Sequence, residues 1–304
     1  MIKKIKVIKS HEDLRLDKWL KINFSSLTQS FIEKNLRKKN ILVNNKSAIS
    51  KFKLNLNDEI KILNFNGEKY KHYPKLKKNI IIPKIINKFY KASKIYEDNN
   101  FMVLDKWFGI STQGGSKINI SIDDIIKNES DSYNLVHRLD KETSGLLIIA
   151  KNQVYTKLFG HMFKNHEIEK YYIALCQGKP KQTESLVDLF IPSKENKKIN
   201  IQTKTYYKLL GFKDNISQIL FKPQTGKTHQ LRIVSKNLGC PIVGDKKYNY
   251  NNKFKDEKLK LNAHILKFNI KSKKYIFKSS LPNDFVNFSK NIKLTKYNSL
   301  EPNL

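Results

Sequence analysis

Residues 135–151 read LVHRLDKETSGLLIIAK, and in this stretch a dense polar loop runs directly into an apolar strand. Basic, acidic and hydroxyl side chains crowd positions 137–144, and the apolar run 146–150 predicts a buried strand. Polar groups where a loop meets a core element are a common location for catalytic residues. A capped turn, in which Asp140 accepts backbone amides, explains the same residues equally well.

Further strand-like runs lie on both sides of this stretch. They cover residues 101–104, 171–175, 206–210, 217–221, 265–270 and 275–277. One helix is predicted over 228–238, where Gly239 and Pro241 end it, and another from Pro282 to about Lys290. Because strands outnumber helices and do not alternate with them, the pattern predicts an α+β fold with a mainly antiparallel sheet.

The first 65 residues read as a separate small domain. Strands are predicted over 5–8, 41–43 and 60–62, and helices over 15–20 and 27–36. The second helix ends in a basic cluster of Lys34, Arg37, Lys38 and Lys39. Residues 66–90 are predicted to be a basic linker, because nine lysines and no acidic residue lie between Lys69 and Tyr96. The larger domain is then expected over 91–304.

The composition points to a polyanionic partner. Fifty-nine lysines and arginines against 27 acidic residues give a formal net charge of +32. Hydrophobic residues at 39% are too many for a disordered basic tail. No apolar run approaches the length of a membrane span, and the N-terminus lacks the apolar core of a signal peptide, so a cytoplasmic protein is expected. Cys176 and Cys240 are the two cysteines of the sequence, too few for a disulfide framework.

Two more stretches carry groups that could take part in chemistry. Residues 225–232, TGKTHQLR, form a basic, hydroxyl-rich turn that opens a helix, and such a helix start can hold a phosphate. Residues 169–178, EKYYIALCQG, alternate along a strand, so Tyr172 faces away from Tyr171. Taken alone, the first stretch is equally well a capped helix with an exposed Arg232, and either tyrosine could be ordinary core.

Together these stretches resemble the RluA-type pseudouridine synthase family. HRLDKETSG, EKYYIALCQG and TGKTHQLRI…GCPIVGD are similar, in this order, to the three motifs of that family. YEDNNFMVLDKWFGISTQGGS (96–116) looks like the segment before the catalytic loop. RLDKWLK (15–21), ILVNNK (41–46) and NDEIKI (57–62) resemble an S4 RNA-binding domain. This domain and residues 113–116 look most like the RluC type, which modifies uridines of large-subunit ribosomal RNA.

The resemblance implies a site and a reaction. Asp140 would be the catalytic carboxylate, Arg232 its ion-pair partner, and Tyr172 the ring that stacks on the target base. Arg138 would fill the gap left by the flipped uridine, and Lys227 and the cluster around Lys34 would bind RNA. The expected fold is an S4 domain followed by a synthase domain with a mainly antiparallel mixed sheet.

The isomerisation needs no group donor and no redox change, so no cofactor and no metal are expected. The partner is expected to be RNA, most specifically large-subunit ribosomal RNA or its assembly intermediate, and the protein is expected to be a monomer without a membrane partner.

Other functions fit parts of the sequence. S4 domains also occur in non-catalytic ribosome-assembly factors, and the same chemistry could act on transfer RNA. Residues 140–145, DKETSG, faintly resemble the loop of phosphoaspartyl hydrolases. That chemistry requires magnesium and a second carboxylate, and Glu142 does not fit the pattern. The presence of Asp140, Tyr172 and Arg232 in matching contexts favours the synthase.

Overall fold

The computed structural model of the chain describes residues 1–72, 80–115, 118–192, 199–249 and 253–294. Contacts divide the chain into two compact units, Met1–Asn79 and Ile80–Leu304. Ser116 of the motif at 113–116 and residues 73–79 of the predicted linker lie outside the described residues. No described helix is both long and apolar enough to cross a membrane.

Unit 1 is a four-stranded antiparallel sheet with two helices. Its strand order is β1-β4-β2-β3. Leu16, Trp19 and Ile32 on the helices are fully buried with Ile60 of the sheet, because the helical spacing predicted from the sequence places the apolar residues on one face. The elements are β1 (Lys3–Lys6), a short 3-10 helix (Lys9–His11), α1 (Leu16–Asn23), α2 (Gln29–Arg37), β2 (Ile41–Val43), β3 (Lys46–Ser47) and β4 (Glu59–Ile62).

Unit 2 is built on a ten-stranded sheet. Its elements are α3 (Lys84–Ser93), β5 (Lys94–Glu97), β6 (Phe101–Lys106), α4 (Ile122–Glu129), β7 (Asn134–Leu135), β8 (Ser144–Ala150), α5 (Gln153–Lys164), β9 (Glu169–Gln177), β10 (Glu184–Pro192), β11 (Asn200–Lys213), β12 (Ile216–Pro223), α6 (Gln230–Asn237), β13 (Leu261–Ile270), β14 (Lys273–Lys278) and α7 (Asn283–Asn291). The main strand order is β10-β11-β12-β9-β13-β8-β6-β5, with β14 beside β13 and β7 beside β8.

The sheet is antiparallel except where β8 meets β13, and the predicted α+β class is confirmed. The strand β8 is buried along its whole length, in agreement with the continuous apolar run of the sequence. In β9, Tyr171, Ile173 and Leu175 face one cluster of buried residues, whereas Ala174 and Cys176 face another together with Tyr172. Both cysteines are free and buried.

Two sequence-based boundaries differ from the structure. The helix predicted from Thr228 begins at Gln230, because His229 adopts a left-handed backbone with φ of 57° and cannot belong to the helix. The predicted linker, 66–90, overlaps α3, in which Tyr90 is buried against Met102 and donates a hydrogen bond to Glu129. The many lysines of this segment led to the prediction of a linker, where the structure has an amphipathic helix of unit 2.

Candidate active site

The loop that carries Asp140 is fixed through its neighbours on both sides. Thr112 holds Leu139 twice, since its hydroxyl donates to the Leu139 carbonyl at 2.7 Å and accepts from the Leu139 amide at 3.1 Å. The ring Nε2 of His137 accepts the backbone amide of Ile148 in β8 at 2.8 Å. Burial, with the nearby charge of Lys170, lowers the pKa of His137 to about 3, so this ring is a neutral acceptor.

A buried lysine supports the other side of the loop. The Nζ of Lys106 donates to the carbonyls of Trp107, Ile110 and Lys141 at 3.2, 3.1 and 3.5 Å. The amide of Gly109 also donates to the Lys141 carbonyl, at 3.0 Å. Burial lowers the pKa of Lys106 to about 7, against the opposing influence of the Asp140 charge. The loop is therefore held from β6 as well as from β8, which favours one fixed position for Asp140.

The carboxylate of Asp140 is left open to the cleft. About a quarter of its side chain is exposed, and Oδ2 lies 3.8 Å from Nε2 of His229. Among the described residues it accepts no backbone amide, and the turn is closed instead by the Thr143 amide, which donates to the Asp140 carbonyl at 3.1 Å. The capped-turn alternative, which needs that carboxylate as the cap, therefore does not describe this loop.

Tyr172 lines the same cleft as Asp140. Its strand β9 turns the ring towards the cleft face of the sheet, opposite to Tyr171. Burial, and then the negative charge of Asp140, raise the pKa of Tyr172. The phenol therefore stays protonated at neutral pH and can pack against a ring or donate a proton.

The guanidinium of Arg232 does not pair with Asp140, contrary to the expectation from the resemblance. Its Nε and one terminal nitrogen each donate to Asp245 at 2.7 Å, and Glu142 lies 3.7 Å from the other terminal nitrogen. Arg232 and Asp245 are almost wholly buried, and Asp245 also accepts the amides of Lys247 and Tyr248. Two buried opposite charges compensate each other's desolvation better than a buried and an open one.

Arg232 nevertheless contributes to the field around Asp140. Burial opposes its charge, but the hydrogen bonds that Arg232 donates to Asp245, and the charges of Asp245, Glu142 and Asp140, raise the pKa of Arg232 overall. The pKa of Asp245 is lowered, because the Arg232 fork and two backbone amides outweigh its burial. Arg232 is thus a permanent cation that lines the cleft without contacting Asp140 directly.

His229 is a further group beside Asp140. Its left-handed backbone turns the ring between Asp140 and Tyr248, whose hydroxyl lies 3.0 Å from Nδ1. Burial lowers the pKa of His229, although Asp140 acts in the opposite direction. The ring of Tyr248 also lies 5.2 Å from the Arg232 guanidinium, so one tyrosine contacts both His229 and Arg232.

These residues surround a cleft of about 600 Å³, within the usual range for small-ligand pockets. Asp140, Tyr172, Arg232, Arg138 and Lys227 all line it, so five of the residues singled out from the sequence lie together. Among the lining residues that the structure describes, Asp140 is the one carboxylate, against five lysines and arginines: Arg138, Lys164, Lys170, Lys227 and Arg232. The cleft therefore suits an anionic ligand with one negative group facing it.

The basic cluster of unit 1 lies on α2 and directly after it. Lys34, Arg37, Lys38 and Lys39 are all exposed. Their contact with RNA, and the S4 identity of unit 1, stay predictions.

Four supporting residues were given no role by the sequence. Thr112, Lys106, His229 and Asp245 all fall inside the quoted motifs, and their polar side chains next to strands or glycine were the available indication. No group of three or more histidine, cysteine, aspartate or glutamate side chains suited to a metal ion occurs in the described part of the chain.

Comparison with known proteins defines the class. The family model described as RNA pseudouridylate synthase matches residues 100–237, which include Asp140, Tyr172 and Arg232. A curated relative from Rickettsia felis is 40% identical over 257 residues, covering 77% of this chain and 81% of its own length. The chain belongs to the RNA pseudouridylate synthase family. It is an isomerase that converts uridine in RNA to pseudouridine.

Two of the curated relatives have the same name. The Rickettsia felis protein is named ribosomal large subunit pseudouridine synthase C. So is a protein from Buchnera aphidicola subsp. Baizongia pistaciae, which is 30% identical over 310 residues, covering 92% of this chain and 96% of that one. This membership favours the enzyme over the non-catalytic assembly factor.

Solved structures agree in fold. Human RNA Pseudouridylate Synthase Domain Containing 4 matches with a TM-score of 0.62 at 22% identity, covering 69% of this chain and 96% of that chain. Human RNA Pseudouridylate Synthase Domain Containing 1 matches with a TM-score of 0.54 at 20% identity, covering 67% and 95%. Both support the architecture of unit 2.

Proposed function

We propose that this enzyme modifies uridines of large-subunit ribosomal RNA in the cytoplasm, as a monomer, with Asp140 as its catalytic carboxylate. The observation that carries the proposal is the cleft that Asp140 and the ring of Tyr172 both line, in which Asp140 is the one carboxylate of the described lining residues among five lysines and arginines. The names of the relatives from Rickettsia felis and Buchnera aphidicola support the RNA class.

The reaction conserves all atoms. The bond between N1 of uracil and C1′ of the ribose breaks, the ring turns, C5 bonds to C1′, and the proton on C5 leaves while N1 gains one. No oxidant or group donor takes part. An ionised carboxylate can assist the departure of uracil, either by attack on the sugar or by abstraction of a proton.

The surrounding cations keep Asp140 suited to this role. Arg232 and Lys106 both interact with the Asp140 charge, and Arg232 stays charged at any working pH. Nearby positive charge interacts favourably with the negative carboxylate, most strongly when a base enters and excludes water. In our proposal, Asp245 fixes the orientation of Arg232, so the guanidinium acts through space on Asp140.

The remaining cleft residues bind and hold the nucleotide. Since the reacting carbons lie in a stacked base, the uridine must leave the stack, at a cost of a few kcal/mol. The protonated ring of Tyr172 packs on the flipped uracil, and Arg138, exposed at the cleft, fills the space that the uridine leaves. Lys227 binds backbone phosphate.

The substitution Asp140→Asn tests the catalytic role. We expect no tritium release from large-subunit ribosomal RNA labelled at C5 of uridine, while RNA affinity stays within about twofold, because the amide keeps the shape but not the charge. Asp256→Asn removes an exposed carboxylate of the same unit outside the cleft and should release tritium normally. Normal turnover by the Asp140 variant would overturn the assignment.

Mapping of pseudouridines in a strain that lacks this gene tests the RNA class. We expect losses in large-subunit ribosomal RNA and none in transfer RNA. Loss of transfer RNA sites alone would contradict the proposed substrate and leave the chemistry intact.

A further inference from the structure

Lys170 is a buried cation without an anion. The residue is 9% exposed, and it lines the cleft on β9, two residues before Tyr172. Within the described ranges no carboxylate lies at ion-pair distance from its Nζ, which is 5.9 Å from the centre of the Phe163 ring. Burial lowers the pKa of Lys170, as expected when no counter-charge offsets the desolvation.

Two other lysines are buried in the described part of the chain, and both have partners within it. Lys260 forms ion pairs of 2.8 Å with Glu257 and with Asp284. Lys106 donates to three backbone carbonyls. Since buried charges are normally paired or hydrogen-bonded, Lys170 is the exception that opens onto a ligand cleft.

A second lysine and two stacked rings accompany Lys170. Lys164 and His166 also line the cleft, and the Phe163 ring next to Lys170 stacks on the His137 ring, with centroids 4.5 Å apart. The nearest acidic residues along the chain are engaged elsewhere: Glu167 lies 3.5 Å from His161, and Glu169 lies 2.9 Å from Lys222. We call this part of the cleft, formed by Phe163, Lys164, His166 and Lys170, the lysine arm.

Lys170 of the lysine arm lies two residues before Tyr172 in β9. Residues two apart in a strand point to the same face and are separated by about 7 Å. A nucleotide whose base packs on Tyr172 can therefore extend its backbone towards Lys170. A phosphodiester there would supply the missing negative charge, and a lysine is suited to it as a compact cation with three donors.

From this geometry we infer that the lysine arm is the binding subsite for a phosphodiester next to the flipped uridine. The inference rests on the proposed function and adds to it the contact that positions the target nucleotide.

Binding of RNA, which needs no turnover, gives the first test. Lys170→Met keeps the length of the side chain without its charge, and Lys157→Met on the exposed side of α5, outside the cleft, is the matched control. We expect the Lys170 variant to bind a short single-stranded oligouridylate about tenfold more weakly by fluorescence anisotropy, because hydrogen bonds to ionised groups are strong. The slope of log affinity against log salt should fall by about 0.7, one contact on a single strand.

The control and the conservative variant give this test its meaning. Lys157→Met should keep the wild-type affinity and slope, and Lys170→Arg should restore most of both. Identical slopes for the two methionine variants would overturn the subsite. A wild-type protein that binds RNA but releases no tritium would contradict the proposed function and not the subsite.

Neutral linkages identify the phosphate. In RNA with one methylphosphonate directly 5′ or 3′ of the modified uridine, we expect one of the two to raise the wild-type KM about tenfold with kcat unchanged. The same linkage should not weaken Lys170→Met further. An equal rise in KM for the wild type and for Lys170→Met would overturn the assignment. So would competition by inorganic phosphate together with an unchanged KM for both methylphosphonate RNAs, because that result would indicate a site for free phosphate.

Discussion

The side chain of Lys106 is fully buried beneath the loop of Asp140, so its proton is coupled to folding. Its pKa falls from 10.5 to about 7 in the folded protein because burial penalises the charged amine. Between these values the unfolded chain binds one more proton than the folded chain. The contribution of Lys106 to stability must therefore rise with pH across this interval and is least favourable below it.

Comparison of wild type with Lys106→Met tests this coupling. The free energy of unfolding of the wild type, relative to that of the variant, should increase by up to about 1.4 kcal/mol per pH unit between neutral and alkaline pH. Urea titrations at several pH values measure it. Lys157→Met, which removes an exposed lysine, should run parallel to the wild type. Parallel curves for Lys106→Met would contradict the depressed pKa.

At the residue scale, the sequence predicted the members of the site but not their pairing. Asp140, Tyr172 and Arg232 lie around one cleft as the motifs indicated. The partner of Arg232 could not be read from the motifs, because Asp245 and Asp140 are both acidic and both lie in them. The choice depends on burial, since Asp245 is fully enclosed while Asp140 faces solvent.

At the scale of elements, the parallel contact between β8 and β13 joins the loop of Asp140 to the strands beside Tyr172. Gly145 at this contact has φ of +109°, and a Cβ there would lie 2.3 Å from the carbonyl oxygen of Ala263. Both the backbone conformation and the close approach require glycine. The close contact between β8 and β13 therefore depends on the lack of a side chain at Gly145.

Gly145→Ala should separate these strands. We expect a loss of about 2–5 kcal/mol in the free energy of unfolding, from overpacking and the unfavourable φ, and a strong loss of turnover. Gly160→Ala in α5 is the control, because a Cβ there meets nothing within 4 Å. It should stabilise the protein by about 0.5–1 kcal/mol, as alanine favours a helix. Urea unfolding measures the free energy of unfolding of both variants, and equal values would contradict the packing argument.

Elements with strong patterns were predicted well and elements with weak patterns were not. The apolar run of β8 and the alternation of β9 agree with the structure. The strand β10 was missed because apolar side chains stand on both of its faces, with Leu186 and Phe190 exposed, so no alternation of polar and apolar residues indicates it. The start of α6 was placed too early because the left-handed backbone of His229 cannot be recognised from the spacing of apolar residues.

At the scale of the whole molecule, the net charge of +32 should dominate RNA binding. Each phosphate neutralised by a lysine or arginine releases counterions. If 6–10 phosphates are contacted, affinity should fall by about 10³–10⁵-fold between 50 and 200 mM salt. Filter binding of large-subunit ribosomal RNA across this range measures the fall, and a nearly flat titration would contradict a large RNA footprint.

The two units have separate cores, which the composition alone could not reveal. Trp19 and Ile60 belong to the core of unit 1, while the clusters of unit 2 draw on residues after position 80. The helix and strand patterns of the first 65 residues predicted a separate small domain. The exact division depends on the contacts of residues such as Tyr70, which packs into unit 1.

The free thiols give unit 2 a built-in reporter. Cys176 and Cys240 are both buried there, and unit 1 has no cysteine. Burial raises the pKa of Cys176, and it raises that of Cys240 to about 11, so neither is a nucleophile in the native state. Alkylation by a maleimide therefore requires unit 2 to open or unfold around its thiols, and its rate would report on the stability of that unit.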